Sequence, residues 1–281
     1  TDLELDLAKF MRINTGLNYG ARGTAVDAWS DVAGAGAMMD SVGVPMSDNK
    51  YYLMNPFTTT SLASAQSGLN AADGLVRTAF EKAQIASNFG GMKALTSNAL
   101  SSYTSGSTTD RSGDLKTAPD ATYVTAKDTM QQTMVIETLG TGTIEAGDQI
   151  QVAGVNRLNI ATRQLILDAT GAAVPWTGTV LSVVTIAGNE ATVVVSGAAI
   201  YEANGQYNNV DAAPAAGAVV TILGAAATVY QPNLFYTEQA FGLGTVKLPK
   251  LYSTDTVATT SDGMSIRVSK YSDGDANTQK I

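Results

Sequence analysis

The clearest ligand-like spacing in the chain is the sequence DGDAN at residues 273–277. Asp273, Asp275 and Asn277 occupy the first three oxygen-ligand spacings of a calcium-binding loop. The glycine that should follow is missing, since Thr278 stands in its place, and the distant bidentate glutamate is also missing. Because Asp and Gly are common turn residues, the motif favours a polar turn between two strands.

Residues 47–50, SDNK, match the Ser-x-x-Lys spacing in which a lysine activates a serine nucleophile. Pro45 precedes the motif and a short apolar run follows it, which favours a turn leading into a strand. A hydrolase that uses Ser47 and Lys50 is retained as a minor hypothesis.

Residues 34–39, GAGAMM, match part of a dinucleotide-binding fingerprint. Met39 stands where a third small residue is required, and no strand pattern precedes the motif. The small residues therefore predict a helix that packs closely against a neighbour.

Asp148 is the remaining candidate for a metal-binding or catalytic carboxylate. It follows a glycine and precedes the alternating residues Ile150 and Val152, a pattern typical of a turn in which the aspartate binds its own backbone. We therefore predict no catalytic, cofactor-binding or metal-binding residue in this chain.

Composition restricts the function further. The 281 residues include no Cys and no His, which removes thiolate nucleophiles, imidazole bases and nearly every zinc or copper site. The net charge of −8 argues against a dedicated nucleic-acid reader, whose footprint is basic. Only 15% of the residues are charged, so we expect much of the surface to meet other protein and predict a protein that is not an enzyme.

Periodicity predicts helices in the first part of the chain. Apolar residues at near-helical spacing over 3–17 predict a helix that ends near Gly16 or Gly20. A second predicted helix runs from Asp27, as its N-cap, to Gly43.

The next segment predicts a strand and a short helix. The run KYYLMNPF, residues 50–57, predicts a buried strand that ends in a turn at Asn55 and Pro56. The Ser- and Thr-rich residues 58–70 then predict a short helix.

The middle of the chain has a different character. Residues 101–120 are rich in Ser, Thr, Gly and Asp and predict a linker or exposed loop. From about 121 to 229, alternating runs predict six or so short strands in a small barrel or sandwich, with a hairpin at Gly188 and Asn189. We therefore predict an inserted domain at 119–229 that folds when it is expressed alone.

One uncharged stretch, residues 215–231, approaches the length of a membrane span. Its Gly224 and its β-branched residues instead predict two short buried strands joined at that glycine.

Taken in order, these segments resemble the coat proteins of short-tailed phages. DLELDLAKFM is similar to the end of the family's spine helix, and AWSDVAGAGAMMDSVGVPMSDNKYYLMNPFTTTSL is similar to its A-domain. The resemblance is strongest at GDQIQVAGVNRL, TVLSVVTIAGNEATVVVS and YNNVDAAPAAGAVVTILG, and NLFYTEQAFGLGTVKLP resembles the return into the shell. The resemblance implies an α+β protein with the Hong Kong 97-like (Johnson) fold and an inserted small all-β barrel, the I-domain.

The resemblance also implies a division of the chain. Residues 1–20 are expected to end the spine helix of the P-domain, 21–118 to form the first part of the A-domain, 119–229 to form the I-domain, and 230–281 to return to the A/P-domain shell. The family's N-terminal arm would precede Thr1, and its last shell strands would follow Ile281. No long charged loop separates ATYVTA from TMVIET, so the contact that such a loop makes between capsomers in the best-known members is not expected.

The implied function is that of a major capsid protein. Such a protein self-assembles, as hexamers and pentamers, into the icosahedral head that encloses double-stranded DNA. The expected partners are a scaffolding protein, a portal and the packaged DNA, which contacts the inner face without sequence specificity. The expected location is the virion, with assembly in the host cytoplasm, and neither a cofactor nor a membrane is implied.

A different class of function is a carbohydrate- or surface-binding β module. This alternative depends on exposed aromatic residues in the strand-rich region, namely Trp176, Tyr201 and Tyr207.

Overall fold

A computed structural model of the chain describes residues 2–67, 82–83, 85–100, 102–251, 255–260, 263–273, 275 and 278–280. The chain divides into two compact units, Thr1–Glu238 and Gln239–Ile281. The helices of the described residues are α1 (Asp2–Ile13), α2 (Trp29–Val42), α3 (Pro56–Ser67) and α4 (Tyr123–Ala126). The strands are β1 (Lys50–Met54), β2 (Asn88–Phe89), β3 (Met92–Thr96), β4 (Tyr103–Thr104), β5 (Ser112–Leu115), β6 (Gln131–Glu137), β7 (Thr143–Ile144), β8 (Gln149–Val152), β9 (Gly178–Val180), β10 (Val184–Thr185), β11 (Ala191–Ser196), β12 (Val219–Ile222), β13 (Val229–Tyr230), β14 (Leu234–Thr237), β15 (Thr256–Thr259), β16 (Ser265–Val268), β17 (Tyr271–Asp273) and β18 (Thr278–Lys280).

The two predicted N-terminal helices are present with shifted ends. Helix α1 ends at Ile13, before the predicted Gly16 or Gly20. Helix α2 begins after Ala28, so the prediction of Asp27 as N-cap was wrong. The carboxylate of Asp31, in the first turn of the helix, instead accepts the backbone N–H groups of Asp27 and Ala28 at 3.2 and 3.1 Å.

Helix α3 starts earlier than the sequence predicts. The Asn55 side chain accepts the Thr58 N–H at 2.7 Å, and Pro56 takes the first helical position, where its missing N–H is not needed. The Asn-Pro pair therefore starts a helix directly after β1, where the pattern predicted a separate turn.

A four-stranded sheet in the order β14-β1-β3-β2 packs with α2 and α3 around the smaller core of the first unit. Strand β1 runs parallel to β3 and antiparallel to β14. This pairing places a strand from before residue 100 beside one from after residue 230. The buried residues of this core are Val32, Ala35, Met39, Tyr52, Met54, Leu62, Phe89 and Met92.

A closed barrel forms the larger core. Its strand order is β11-β6-β5-β12-β8-β9, and every neighbouring pair is antiparallel. Closure leaves no edge strand unpaired. The buried residues of the barrel are Leu115, Met134, Ile136, Leu139, Ile144, Ile150, Val152, Val155, Trp176, Val180, Ile186, Ala191, Val193, Val195, Ala199, Val210, Val220 and Ile222. Of the two predicted architectures, the barrel is confirmed.

The prediction of a linker or loop over residues 101–120 was wrong, because this segment contains β4 and β5. Strand β5 closes the barrel between β6 and β12. Its inward positions are Gly113 and Leu115, and a Cβ at Gly113 would lie 2.6 Å from the carbonyl oxygen of Glu137. The strand carries glycine where an apolar side chain would have shown the alternation, so the pattern was hidden.

The turn of the hairpin predicted at Gly188 and Asn189 is confirmed, but the two strands on its sides do not pair with each other. Both residues have positive φ, 61° and 66°, and Ala187 pairs with Glu190 across the turn. These angles suit a type I′ turn, which Gly and Asn favour. The strand before this turn, β10, pairs with β7 and not with β11.

The uncharged residues 215–231 contain two strands, β12 and β13, with Gly224 at a φ of 89° between them. Strand β12 is half buried, as an alternating barrel strand should be. The second strand is not buried as predicted, since Val229 is 65% exposed. No helix in the described part of the chain is long and apolar enough to cross a membrane.

The chain enters and leaves the barrel side by side. Strand β4, before the first barrel strand, pairs antiparallel with β13, which follows the last one. We call this two-stranded ladder, β4 with β13, the stem. The predicted boundary at 119 therefore leaves β5 outside the insertion, although β5 is a barrel strand.

The second unit contains two antiparallel hairpins, β15 with β16 and β17 with β18. Within it, the Arg267 side chain donates to the Pro249 carbonyl at 3.1 Å, and buried Asp255 accepts the Leu251 N–H at 3.1 Å.

A fragment of residues 103–230 should unfold cooperatively in urea when followed by circular dichroism. A fragment of 119–229 should show no cooperative transition, because β6 and β12 would each lose a neighbour and the barrel would open. Equal urea midpoints for the two fragments would show that β5 is dispensable.

Candidate functional site: the polar anchor of the barrel

The backbone that follows α1 is held by polar side chains of the barrel region. Arg157 donates through Nη2 to the Gly16 carbonyl, and to the carbonyl and hydroxyl oxygens of Thr177, both at 2.9 Å. The Thr177 hydroxyl donates to the Gly16 carbonyl at 2.7 Å, and the Thr179 hydroxyl donates to the Thr15 carbonyl. We call these five residues, Thr15, Gly16, Arg157, Thr177 and Thr179, the polar anchor.

Two glycines allow this close approach. A Cβ on Gly16 would lie 3.0 Å from the Cα of Gly197, and a Cβ on Gly197 would lie 2.8 Å from the Cα of Gly16. Gly197 also has a φ of +85°, which side-chain-bearing residues rarely adopt. The two backbone segments therefore touch at a point where neither Gly16 nor Gly197 has room for a side chain.

Arg157 is the energetic centre of the anchor. It is only 8% exposed, and burial lowers the pKa of its guanidinium to about 10. Its acceptors among the described residues are carbonyl and hydroxyl oxygens. Because the folded pKa lies below the unfolded one, the native state binds fewer protons between these two values and stability rises with pH there. At pH values below the folded pKa, Arg157 is charged in the native state and its burial carries the full desolvation cost, which its hydrogen bonds offset.

A second contact joins the barrel region to the end of α2. The Asn159 amide donates to the Ser41 carbonyl at 2.8 Å, and the Ile160 N–H donates to the Val42 carbonyl at 2.9 Å. The last carbonyls of a helix have no partner within the helix. Residues 159–160 therefore cap α2 from outside.

Asp148 holds a third group of contacts at the base of the barrel. It is fully buried, and its Oδ2 accepts the N–H groups of Glu145 and Gly106, each at 3.0 Å. Arg111 lies 3.7 Å from its Oδ1 and donates to three carbonyls, those of Gly106, Leu223 and Gly224. The interpretation of Asp148 as a turn residue is confirmed, and the structure adds a link to residues far away in the sequence.

The proposed nucleophile and base of the SDNK motif are not arranged for catalysis. Ser47 is exposed in a turn in which the Asp48 N–H donates to the Pro45 carbonyl at 3.1 Å. The Lys50 ammonium forms an ion pair with the Asp40 carboxylate, so its hydrogen-bonding partner is Asp40. The predicted turn is confirmed.

The small residues at 34–39 pack as predicted. A Cβ on Gly34 would lie 1.9 Å from the Tyr19 hydroxyl, and Gly36 faces the carbonyl of Gly90. The motif lies in the middle of α2, so a close helix contact explains it.

The structure describes Asp273 and Asp275 of the calcium-like motif. Asp273 ends β17 and pairs with Thr278 of β18, so strands flank the motif on both sides. Asn277, the third predicted ligand, lies outside the described residues. Among the residues that are described, no three His, Cys, Asp or Glu side chains gather in a way that could hold a metal ion.

The aromatic residues of the carbohydrate-binding alternative do not form one surface of exposed rings. Trp176 is fully buried in the barrel core, and its indole N–H donates to the Gly197 carbonyl at 2.8 Å, so the expectation that it is exposed was wrong. Tyr201 and Tyr207 are exposed, and Tyr207 stacks on Tyr123 with ring centroids 4.1 Å apart.

Sequence reasoning missed Arg157 and the two glycines that contact each other. No signal in the sequence distinguishes Arg157 from the other charged residues of the β region, such as Arg163. Its acceptor Gly16 lies 141 positions away, and no local pattern relates the two.

In the barrel and its anchor, buried polar groups hold distant parts of the chain together. Comparison with known proteins gives the class of protein, a structural coat protein. The family model for the P22 coat protein, gene protein 5, matches residues 1–281, and the chain therefore belongs to the P22 coat protein family. It is similar to a major capsid protein of Acyrthosiphon pisum secondary endosymbiont phage 1, with 44% identity over 286 residues that cover 100% of this chain and 67% of that protein.

Replacement of Arg157 by alanine should lower the free energy of unfolding by about 2 kcal/mol, because the loss of its hydrogen bonds exceeds the relief of desolvation. Urea denaturation would measure the change. Arg163→Ala is the matched control, since Arg163 is only half buried and donates to one carbonyl, that of Asn208. Unchanged or increased stability in Arg157→Ala would show that desolvation dominates.

Gly106→Ala should destabilise the barrel by about 1–3 kcal/mol through overpacking. The new Cβ would lie 2.2 Å from the Thr143 carbonyl and 2.9 Å from Asp148 Oδ2. Gly244→Ala is the control, because its Cβ would meet nothing within 4 Å. The melting temperatures of both variants are measured by thermal unfolding, and that of Gly106→Ala should be the lower. Equal melting temperatures would contradict the close contact at Gly106.

Proposed function

We propose that this chain is the major structural subunit of a phage head and that it assembles with copies of itself into a closed icosahedral shell. Membership of a coat protein family supports the structural role. The observation that carries the proposal is the closed barrel on its two-stranded stem, which is inserted in the sequence between β3 and β14, two strands of one sheet. This arrangement agrees with the inserted β-barrel that the sequence resemblance implies.

In this proposal the fold is Hong Kong 97-like. Residues 1–20 end the spine helix of the P-domain, and the A-domain begins at 21. The I-domain runs from the stem strand at 103 to the stem strand at 230, which revises the predicted range 119–229. Residues 231–281 return to the A/P-domain shell. The pairing of β4 with β13 supports the revised boundaries.

The surface supports repeated contact with other copies. Met46, Phe57 and Val246 are 85%, 86% and 81% exposed and are therefore available for contact with other copies. Subunits of permanent assemblies bury large, apolar surfaces against their neighbours, and symmetry repeats each contact. We propose hexamers and pentamers as the building units.

The proposed partners follow from the same role. A scaffolding protein would direct assembly, a portal would occupy one vertex, and double-stranded DNA would contact the inner face without sequence specificity. The net charge of −8 is consistent with a wall that does not bind the genome tightly. Assembly is proposed to take place in the host cytoplasm and the mature protein to reside in the virion, with no catalytic activity.

The full chain, produced together with its scaffolding protein, should form closed shells that negative-stain electron microscopy shows directly. Shells form because each subunit presents complementary faces to several neighbours. Monomers or small closed oligomers under every assembly condition would overturn the proposal.

Phe57→Glu should reduce the yield of shells several-fold and leave the urea midpoint of the monomer unchanged, since the side chain is exposed within the subunit. Thr60→Glu, which adds the same charge at an exposed position of the same helix, is the matched control and should assemble normally. Equal yields for the two variants would exclude Phe57 from the contact surface.

A further inference from the structure

A cavity of about 490 Å³ lies within the first unit, where three parts of the chain meet. One wall is the segment between α1 and α2, the second is the side of the sheet near Tyr52 and Asn233, and the third is the stem with the base of the barrel. We call it the junction cavity. Its volume falls in the range of small-molecule sites.

Two arginines that line the cavity, Arg12 and Arg22, lie close to one tyrosine ring. The guanidinium carbon of Arg12 lies 4.6 Å from the ring centroid of Tyr103, and that of Arg22 lies 5.4 Å from it. Arg22 also lies 5.8 Å from the ring centroid of Tyr230. The rings face both guanidinium groups with their negative π surfaces, which helps to hold these groups in place.

Arg22 keeps hydrogen-bonding capacity inside the cavity. Its Nη2 makes one long bond, 3.3 Å, to the Gly147 carbonyl, and its Nε is buried with no acceptor among the residues that the structure describes. The pKa of Arg22 is lowered to about 10, mainly because the guanidinium is buried. Asp148 raises this pKa, and the positive charges of Arg111 and Arg12 lower it. The protein environment therefore disfavours a charge that an anion would stabilise.

The nearby carboxylates are already engaged. Asp31, the acidic residue of the cavity wall, accepts the N–H groups of Asp27 and Ala28. Asp148, behind the wall, accepts two backbone N–H groups and faces Arg111 at 3.7 Å. Neither of these contacts places a carboxylate on the Arg22 guanidinium.

Two residues of the cavity lining carry buried acceptors. Gln149 and Asn233 both line the cavity, and their side-chain oxygens, Gln149 Oε1 and Asn233 Oδ1, are buried without a hydrogen-bond donor in the described part of the chain. A monoprotonated phosphate offers both kinds of group, oxygens that accept from arginine and a P–OH that donates to an amide oxygen.

We propose that the junction cavity binds a phosphate-type oxyanion, free or as the head of an ester, with Arg22 as its main donor and Tyr103 and Arg12 beside it. The cavity is larger than a bare phosphate needs, so an esterified organic group can share it. Such a ligand would link the segment after α1, the sheet and the barrel, the three parts that form the wall.

Isothermal titration calorimetry on the intact chain tests the proposal with inorganic phosphate and, separately, phenyl phosphate, with sodium chloride at matched ionic strength as the reference. Saturable heat with both phosphates identifies the free ion as a sufficient ligand. Saturable heat with phenyl phosphate alone identifies the ester. Absence of saturable heat with both overturns the proposal.

Arg22→Gln should weaken binding by about tenfold or more, since one charged hydrogen-bond donor is lost. Arg163→Gln, an arginine of the barrel region outside the cavity wall, is the control and should bind as the parent chain does. Phosphate should also raise the urea midpoint of the parent chain and of Arg163→Gln but not that of Arg22→Gln. Equal affinity in the two variants would overturn the assignment of the site.

Discussion

The docking of the Thr15–Gly16 backbone on Arg157 is the interaction on which the arrangement of the first unit depends. The chain enters and leaves the barrel through the two-stranded stem, and a two-stranded ladder of that size is weak by itself. The polar anchor and the Asn159 cap on α2 add two further points of attachment. Three separated contacts fix the orientation of the barrel relative to the rest of the first unit, which the stem alone would not fix.

Close backbone contact is the second constraint, and glycine meets it in each case. Gly16 and Gly197 touch each other, Gly34 meets Tyr19, and Gly106 lies against the turn that Asp148 closes. Side chains would separate these surfaces and remove the short hydrogen bonds that depend on them. The chain therefore uses glycine for packing between distant segments as well as for turns.

The distribution of charge fits a protein that functions through its contacts. Arg157, Arg111 and Asp148 lie inside and bind backbone groups, whereas large apolar side chains such as Phe57 lie outside. Buried ionic groups cost desolvation energy, but they specify one arrangement of the segments that they join. A subunit that meets its neighbours in a shell needs this fixed shape, because each error in orientation would be repeated in every copy.

The sequence by itself determined the elements whose evidence is local. The α2 helix, the turns at Gly188-Asn189 and at Asp148, and the β-rich character of the middle region all follow from periodicity and turn chemistry within a few residues. Tertiary structure alone decided that Ser112–Leu115 closes the barrel, that Trp176 is buried and that Arg157 binds Gly16. The reason is physical: burial, barrel closure and the partner of a buried charge depend on segments that are separated in the sequence, by 141 positions for Arg157 and Gly16, and such proximity leaves no local pattern.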